Sequence, residues 1–184
     1  MKPAPAYLVL LLVFGLAAPS DGQTALSLPE RGKPELALLA GYGYEVHLNR
    51  GTTEVRLLMV QPQAAFRLGS RLEYVVEGHL ATYFRPDGLA AGLVPVGARY
   101  FFGGGSLAPY FELGAGFGWT DLKVEEIDRR FNFILQAGVG VRGTPSLDRA
   151  WMVEARLLHC SNAGTVLPNL GLNSVVLLGG WRFR

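Results

Sequence analysis

Residues 131–142 read Phe-Asn-Phe-Ile-Leu-Gln-Ala-Gly-Val-Gly-Val-Arg. Phe131, Phe133, Leu135, Ala137, Val139 and Val141 share one parity and are all apolar, whereas Asn132, Ile134, Gln136, Gly138, Gly140 and Arg142 hold the other. Successive side chains of a β-strand point to opposite faces, so a period of two marks a strand whose faces meet different surroundings. One face here is wholly apolar.

The same split recurs on either side. Within 110–119, Phe111, Leu113, Ala115, Phe117 and Trp119 oppose Glu112, Gly114, Gly116 and Gly118. Within 72–83, Leu72, Tyr74, Val76 and Leu80 oppose Glu73, Glu77 and His79. Each segment has about ten residues, the length of a tilted strand that crosses a bilayer. Counting outward along the chain gives segments at 35–45, 53–63, 72–83, 91–102, 109–119, 131–142, 150–161 and 173–184, of which the first two alternate least cleanly. Eight strands make the smallest membrane barrels. The expectation is an all-β fold, an eight-stranded antiparallel transmembrane β-barrel.

A soluble eight-stranded barrel would turn its apolar face inward, and alternation by itself does not tell the faces apart. The other stripe does: it carries Glu73, Glu77, Arg99, Glu112, Gln136, Arg142, Glu154 and Arg156 among glycines. Opposite charges and small residues fill a narrow lumen in pairs, while a carboxylate facing lipid costs several kcal/mol. The connections fit as well. With both termini in the periplasm, the periplasmic turns fall at 69–71, 103–107 and 143–149, and the longer connections at 120–130 and 162–172 lie outside the cell. Trp181 and Phe183 give the last strand an aromatic end, with Arg184 following.

The chain begins with Met1-Lys2, an apolar run from Tyr7 to Leu16, and the small residues Ala17-Ala18-Pro19-Ser20. That is the layout of a secretory signal peptide, and the run is half of the about 20 residues that a spanning helix needs. The expected organisation is a signal peptide over 1–22, cleaved near Ser20 or Gly22, and one barrel domain over 23–184 in the outer membrane of a Gram-negative bacterium. At 184 residues there is little room for a second domain. A mean hydropathy of +0.23 with 17% charged residues is high for a soluble secreted domain. The single cysteine, Cys160, excludes a disulfide framework and a cysteine-based zinc cluster, and a net charge of +2 gives no nucleic-acid footprint. By parity Cys160 faces the lumen as packing. His47 in a loop and His79 in the lumen lack metal-like partners, and the glycines at 41–43 and 103–105 lack the lysine and helix of a phosphate loop.

The seventh segment ends unusually. Its outward stripe runs Trp151, Val153, Ala155, Leu157, His159, Ser161, so a lipid-facing row finishes in a histidine and a serine. Two residues apart on one strand, their Cβ atoms lie about 7 Å apart on one face, within reach of an imidazole for a hydroxyl. Ionisable groups on a lipid surface mark a functional site by default, although a bare pair of this kind equally suits the membrane interface. The longer run, His159-Cys160-Ser161-Asn162-Ala163-Gly164 followed by Pro168-Asn169, Gly171 and Asn173, resembles the signature of the outer-membrane lipid A 3-O-deacylases, also called acyloxyacyl hydrolases.

That resemblance implies a serine esterase that removes the primary acyl chain at the 3 position of lipid A. It implies Ser161 as nucleophile, His159 as general base, and an oxyanion hole from the Gly164 amide and the Asn169 side chain, with Asn162 in support. It implies lipopolysaccharide as substrate, outer-membrane lipids as surroundings, and neither a cofactor nor a metal; whether two copies pair as a homodimer stays open. One position departs from the pattern. Members of the family carry a glutamate twelve residues after the serine to orient the histidine, and that position is Asn173. An asparagine carbonyl still accepts an imidazole N–H and fixes the tautomer, as in the Cys-His-Asn variant of the triad. The alternatives are lower activity, a substitute carboxylate from the loop, Glu126 or Asp128, or lost catalysis. A structural or adhesion-type barrel would need no His-Ser pair, and a carrier of small apolar ligands would need an emptier lumen.

Overall fold

The computed structural model describes residues 33–48, 51–127, 129–144, 149–165, 167 and 169–183; the expected signal peptide, Asp128 and Pro168 lie outside them. Eight strands follow one another: β1 (Glu35–Glu45), β2 (Arg56–Arg67), β3 (Leu72–Arg85), β4 (Asp87–Phe101), β5 (Leu107–Thr120), β6 (Phe131–Gly143), β7 (Arg149–Ser161) and β8 (Leu172–Phe183). Each pairs antiparallel with the next, and β1 pairs with β8 from Leu36↔Phe183 to Glu45↔Ser174, so the sheet closes on itself. Closure leaves no edge strand. The ends of β1, β3, β5 and β7 form one rim of the barrel, called here the site end.

Two segments depart from the expected bounds by more than two residues. β2 runs over 56–67 rather than 53–63, because its inward row turns polar at Gln61 and Gln63, and Pro62 interrupts the ladder to β3 opposite Gly78. A Cβ at Gly78 would approach the Pro62 ring to 3.0 Å, which is why a glycine sits there. β4 starts at Asp87 rather than 91. Asp87 and Gly88 read as turn residues, yet they pair with Phe84 and Tyr83, and Pro86 alone joins β3 to β4.

The outward stripes are aliphatic at mid-height, with Leu38, Val60, Leu80, Leu93, Val96, Leu113, Leu135, Val153 and Leu177 exposed. Aromatic residues flank that band: Tyr44, Phe84, Trp119, Phe131 and Phe133 toward the site end, Tyr100, Phe102, Trp181 and Phe183 toward the other. An apolar belt between two aromatic girdles is the surface that a bilayer requires.

An eight-stranded barrel is just wide enough for side chains to fill it. Its middle and far end hold a charge lattice. Arg99 binds Glu112 through Nε at 2.6 Å and Gln63 through Nη2 at 2.8 Å, while Arg156 binds Glu154 at 2.6 Å, Glu77 at 2.7 Å and Glu112 at 2.9 Å. Arg182 spans Glu35 and Glu73, and Tyr110 donates to Glu154 at 2.9 Å. Toward the site end the interior is apolar, with Leu39, Leu57, Met59, Ile134, Leu158, Leu172 and Val176 in one cluster capped by the loop residues Val55, Leu122 and Ile127. The polar inner stripe expected from sequence therefore gives way to an apolar plug beneath the site.

Glu112 bridges Arg99 and Arg156, and removing one member of a buried ion pair strands the other in low dielectric. Glu112→Ala is expected to lower stability by about 3 kcal/mol, the low end for such losses because both arginines keep other carboxylates. Urea unfolding in lipid vesicles measures it; a change under 1 kcal/mol would remove the lattice from the stability argument.

Candidate active site

β7 pairs with β8 from Arg149 to Cys160, and the register sets His159 directly opposite Asn173. Cβ atoms of such cross-strand pairs lie about 4.5–5.5 Å apart, so two short polar side chains on one face meet. His159 Nδ1 and Asn173 Oδ1 are 2.8 Å apart. The carbonyl oxygen of an amide has no proton to give, so Nδ1 carries it and Nε2 is left with a lone pair. His159 and Ser161 are half-buried on the outward face, and Asn173 is buried. Among the described residues the Ser161 hydroxyl makes no hydrogen bond, which leaves it uncommitted.

The connection from β7 to β8 folds back over the imidazole. Gly171 adopts φ +74°, and a Cβ there would lie 2.5 Å from His159 Cε1 and 3.3 Å from Nε2. Only a glycine combines that backbone conformation with so close an approach to the ring. Its amide donates to the Glu126 carbonyl at 3.0 Å, and Asn169 pairs with Ile127 as an isolated bridge, so the loops after β5 and β7 clasp each other.

Nearer the serine the chain makes a tight turn. The Thr165 amide and hydroxyl both donate to the Asn162 carbonyl, at 3.2 and 2.9 Å, across Ala163 at φ 55° and Gly164 at φ 74°. Two positive φ values in succession define a type I′ turn. The Asn162 amide donates to Asn169 Oδ1 at 3.0 Å. This bond anchors the Asn169 amide by its oxygen and frees its NH2 to donate elsewhere. Ser161, His159, Asn173, Asn162, Gly164 and Asn169 are thus brought to one rim.

Two acids near the site come from other strands. Glu45, the last residue of β1, accepts the Asn173 amide at 3.2 Å, and β1 continues to bond β8 through the Val46 amide and the Asn173 carbonyl. Nothing in the local sequence marks Glu45, whose position follows from the closing register. Glu126 is fully buried and accepts the Thr53 amide at 2.9 Å, which ties down the loop after β1. Glu126 does not replace the missing glutamate, because the imidazole proton goes to Asn173. Among the described residues no group of three His, Cys, Asp or Glu side chains is placed to hold a metal.

His159 also ends an apolar groove of about 660 Å³ on the outer wall. Ala98, Ala115 and Ala137 form its floor, with Leu113, Leu135 and Leu157 beside them, and it runs from β7 across to Leu72 and Tyr74 near the opposite rim. The floor is made by register: alanines on three neighbouring strands face leucines on the next.

A model of the family described as "Lipid A 3-O-deacylase (PagL)" matches residues 40–182. The chain belongs to the PagL family. It is a lipid A 3-O-deacylase of the outer membrane, an ester hydrolase. Among solved structures, that of the outer membrane enzyme PagL aligns with a TM-score of 0.60 at 18% identity, over 78% of this chain and 97% of that one. Neisserial surface protein A aligns with a TM-score of 0.57 at 14% identity, over 80% of this chain and 96% of that one. At such identities these likenesses speak for the barrel alone. No curated protein sequence matches.

Within the PagL family's barrel, Gly171 is the site residue whose substitution is most informative, since its lack of a Cβ makes the room that the ring occupies. Gly171→Ala is expected to displace the imidazole and lower kcat/KM about a hundredfold while the barrel stays folded, in line with the cost of a 1 Å misplacement. Fatty-acid release from lipid A, measured beside heat-modifiable gel mobility, tests this. A fully active alanine variant would mean that the ring does not sit under residue 171.

Proposed function

We propose that Ser161 attacks the ester carbonyl at the 3 position of lipid A, with His159 as its general base and Asn173 as the residue that orients the histidine. The observation that carries this reading is the 2.8 Å bond from His159 to Asn173 on the lipid-facing wall, under Gly171 and at the mouth of the groove. With Nδ1–H held by Asn173, Nε2 takes the serine proton as Oγ adds to the carbonyl. The Gly164 amide and the Asn169 NH2 receive the oxyanion. Collapse expels the sugar oxygen, which takes the proton from the imidazolium. Water then attacks the acyl-serine by the same route, and a free fatty acid leaves.

The groove positions one acyl chain. Lipid tails are as apolar as its lining, so transfer from bilayer to groove gains little hydrophobic energy; the gain is orientation of the ester at the serine. In this reading the site end faces the cell exterior, both termini are periplasmic, and residues 1–22 are the removed signal peptide. Every residue of the site comes from one chain, so a homodimer is not needed to complete it.

Ser161→Ala and His159→Ala are each expected to abolish deacylation by several orders of magnitude, and the double variant to be little worse than either, because residues acting as one unit are not additive. Mass spectrometry of lipid A from expressing cells reads this, and a Ser161→Ala enzyme with most of its activity would exclude that nucleophile. Asn173→Ala should cost about 10- to 1,000-fold, whereas Asn173→Asp, which keeps an acceptor, should retain activity. In the groove, Ala137→Phe is expected to lower kcat/KM about tenfold for long acyl chains and less for short ones; equal effects on both would detach the groove from acyl binding.

A further inference from the structure

An ester has two sides, and the groove over β3–β7 accounts for only one of them. On the opposite flank of the site, β1 and β2 carry a second cavity of about 370 Å³, within the range of small-molecule sites. Tyr42, Tyr44, Glu45, His47, Glu54 and Arg56 line it around Val55. It adjoins the site directly: Leu157 on β7 pairs with Val175 on β8, Val175 with Tyr44 on β1, and Tyr44 with Arg56 on β2. Three strand spacings, about 14–15 Å, separate the catalytic strand from Arg56. That span suits a disaccharide lying along the rim.

The chemistry of the lining matches such a ligand. Tyr42 and Tyr44 are exposed aromatic faces able to lie against sugar rings, with hydroxyls at their polar tips. Glu54 is an acceptor for hydroxyl or amide hydrogens. Arg56 offers the forked donors that suit a phosphate, and among the described residues it forms no ion pair. It also pairs with Arg85 at the register shift that opens the β2–β3 ladder, which brings a second cation to the same end of the barrel.

We infer that this cavity binds the phosphorylated glucosamine headgroup of the substrate, with Arg56 at the phosphate and the two tyrosines on the sugars. The inference rests on the lipid A reading and adds the side of the ester from which the alcohol leaves. The acyl chain and the headgroup then depart from Ser161 in opposite directions around the barrel, which holds the scissile bond in tension-free alignment between two anchors.

The test is binding, which is readable even if hydrolysis is absent. In a Ser161→Ala background held in detergent micelles, affinity is measured for lipid A and for enzymatically dephosphorylated lipid A, with Arg56 and with Arg56→Gln. The wild-type residue should favour the phosphorylated form about tenfold, and Arg56→Gln should bring that ratio close to one, with Arg56→Lys in between. An unchanged ratio, or an equal loss on both lipids, would overturn the assignment. So would displacement of lipid A by an equal concentration of inorganic phosphate, which would reduce the cavity to a free-anion site. Failure of the hydrolysis reading shows separately, as no fatty acid released by the enzyme with Ser161 intact.

Discussion

The ladder between β1 and β8 is the contact on which the rest of the molecule depends. In hydrocarbon an unpaired N–H or C=O has no water to turn to, so a sheet survives there only if its first and last strands meet. Ten register pairs from Leu36↔Phe183 to Glu45↔Ser174 achieve this. The same ladder assembles the site. Asn173 stands between β7, where it meets His159, and β1, where its amide and carbonyl are taken by Glu45 and Val46. A slip of one residue in the β7–β8 register would turn Asn173 into the lumen and leave the imidazole without its acceptor.

Closure at eight strands has a second consequence, because the lumen is just wide enough for its own side chains and too polar to stay unpaired. Glu77, Glu112 and Glu154 around Arg156, and Glu73 and Glu112 around Arg99, leave each guanidinium with several acceptors. Ion pairs of this kind contribute little net stability over a packed apolar core, yet each member is costly to remove alone. Their effect is to fix one arrangement of the barrel wall, and the outward alanines of the groove lie on the strands so fixed. A rigid wall suits an enzyme whose reacting groups stand on strands and whose substrate is already dissolved in the surrounding lipid.

The strands were legible wherever the inner row was polar or small, as in 131–142 and 110–119, since every outward residue of those two segments is apolar. They blurred where that contrast failed. Gln61, Pro62 and Gln63 broke the pattern of β2, and Asp87-Gly88 imitated a turn inside β4. The residues of the rim motif were readable as a group because they are close in sequence. Glu45, the clasp at Glu126, and the alanine floor of the groove were not, because each is the product of register between strands far apart in the chain. Gly171 was visible only as a letter of the motif; its reason, the contact with the imidazole, needed the loop's path.

The amide at position 173 is better understood beside Glu45 and Glu126 than alone. The apolar plug of Leu172, Val55 and Ile127 lies against this corner, and both carboxylates are buried in it, Glu45 on the backbone of residue 173 and Glu126 on the clasp. A third carboxylate at 173 would add like charge where screening is weak, and two acids sharing a site do not both ionise readily. A protonated acid there would orient the ring no better than an amide does. Asparagine keeps the acceptor, and with it the tautomer, without that repulsion. What it gives up is direct stabilisation of the imidazolium, which a neutral dipole supplies only weakly. In this chain the amide at 173 meets the ring, and Glu45 on the neighbouring strand holds the backbone of residue 173 in place.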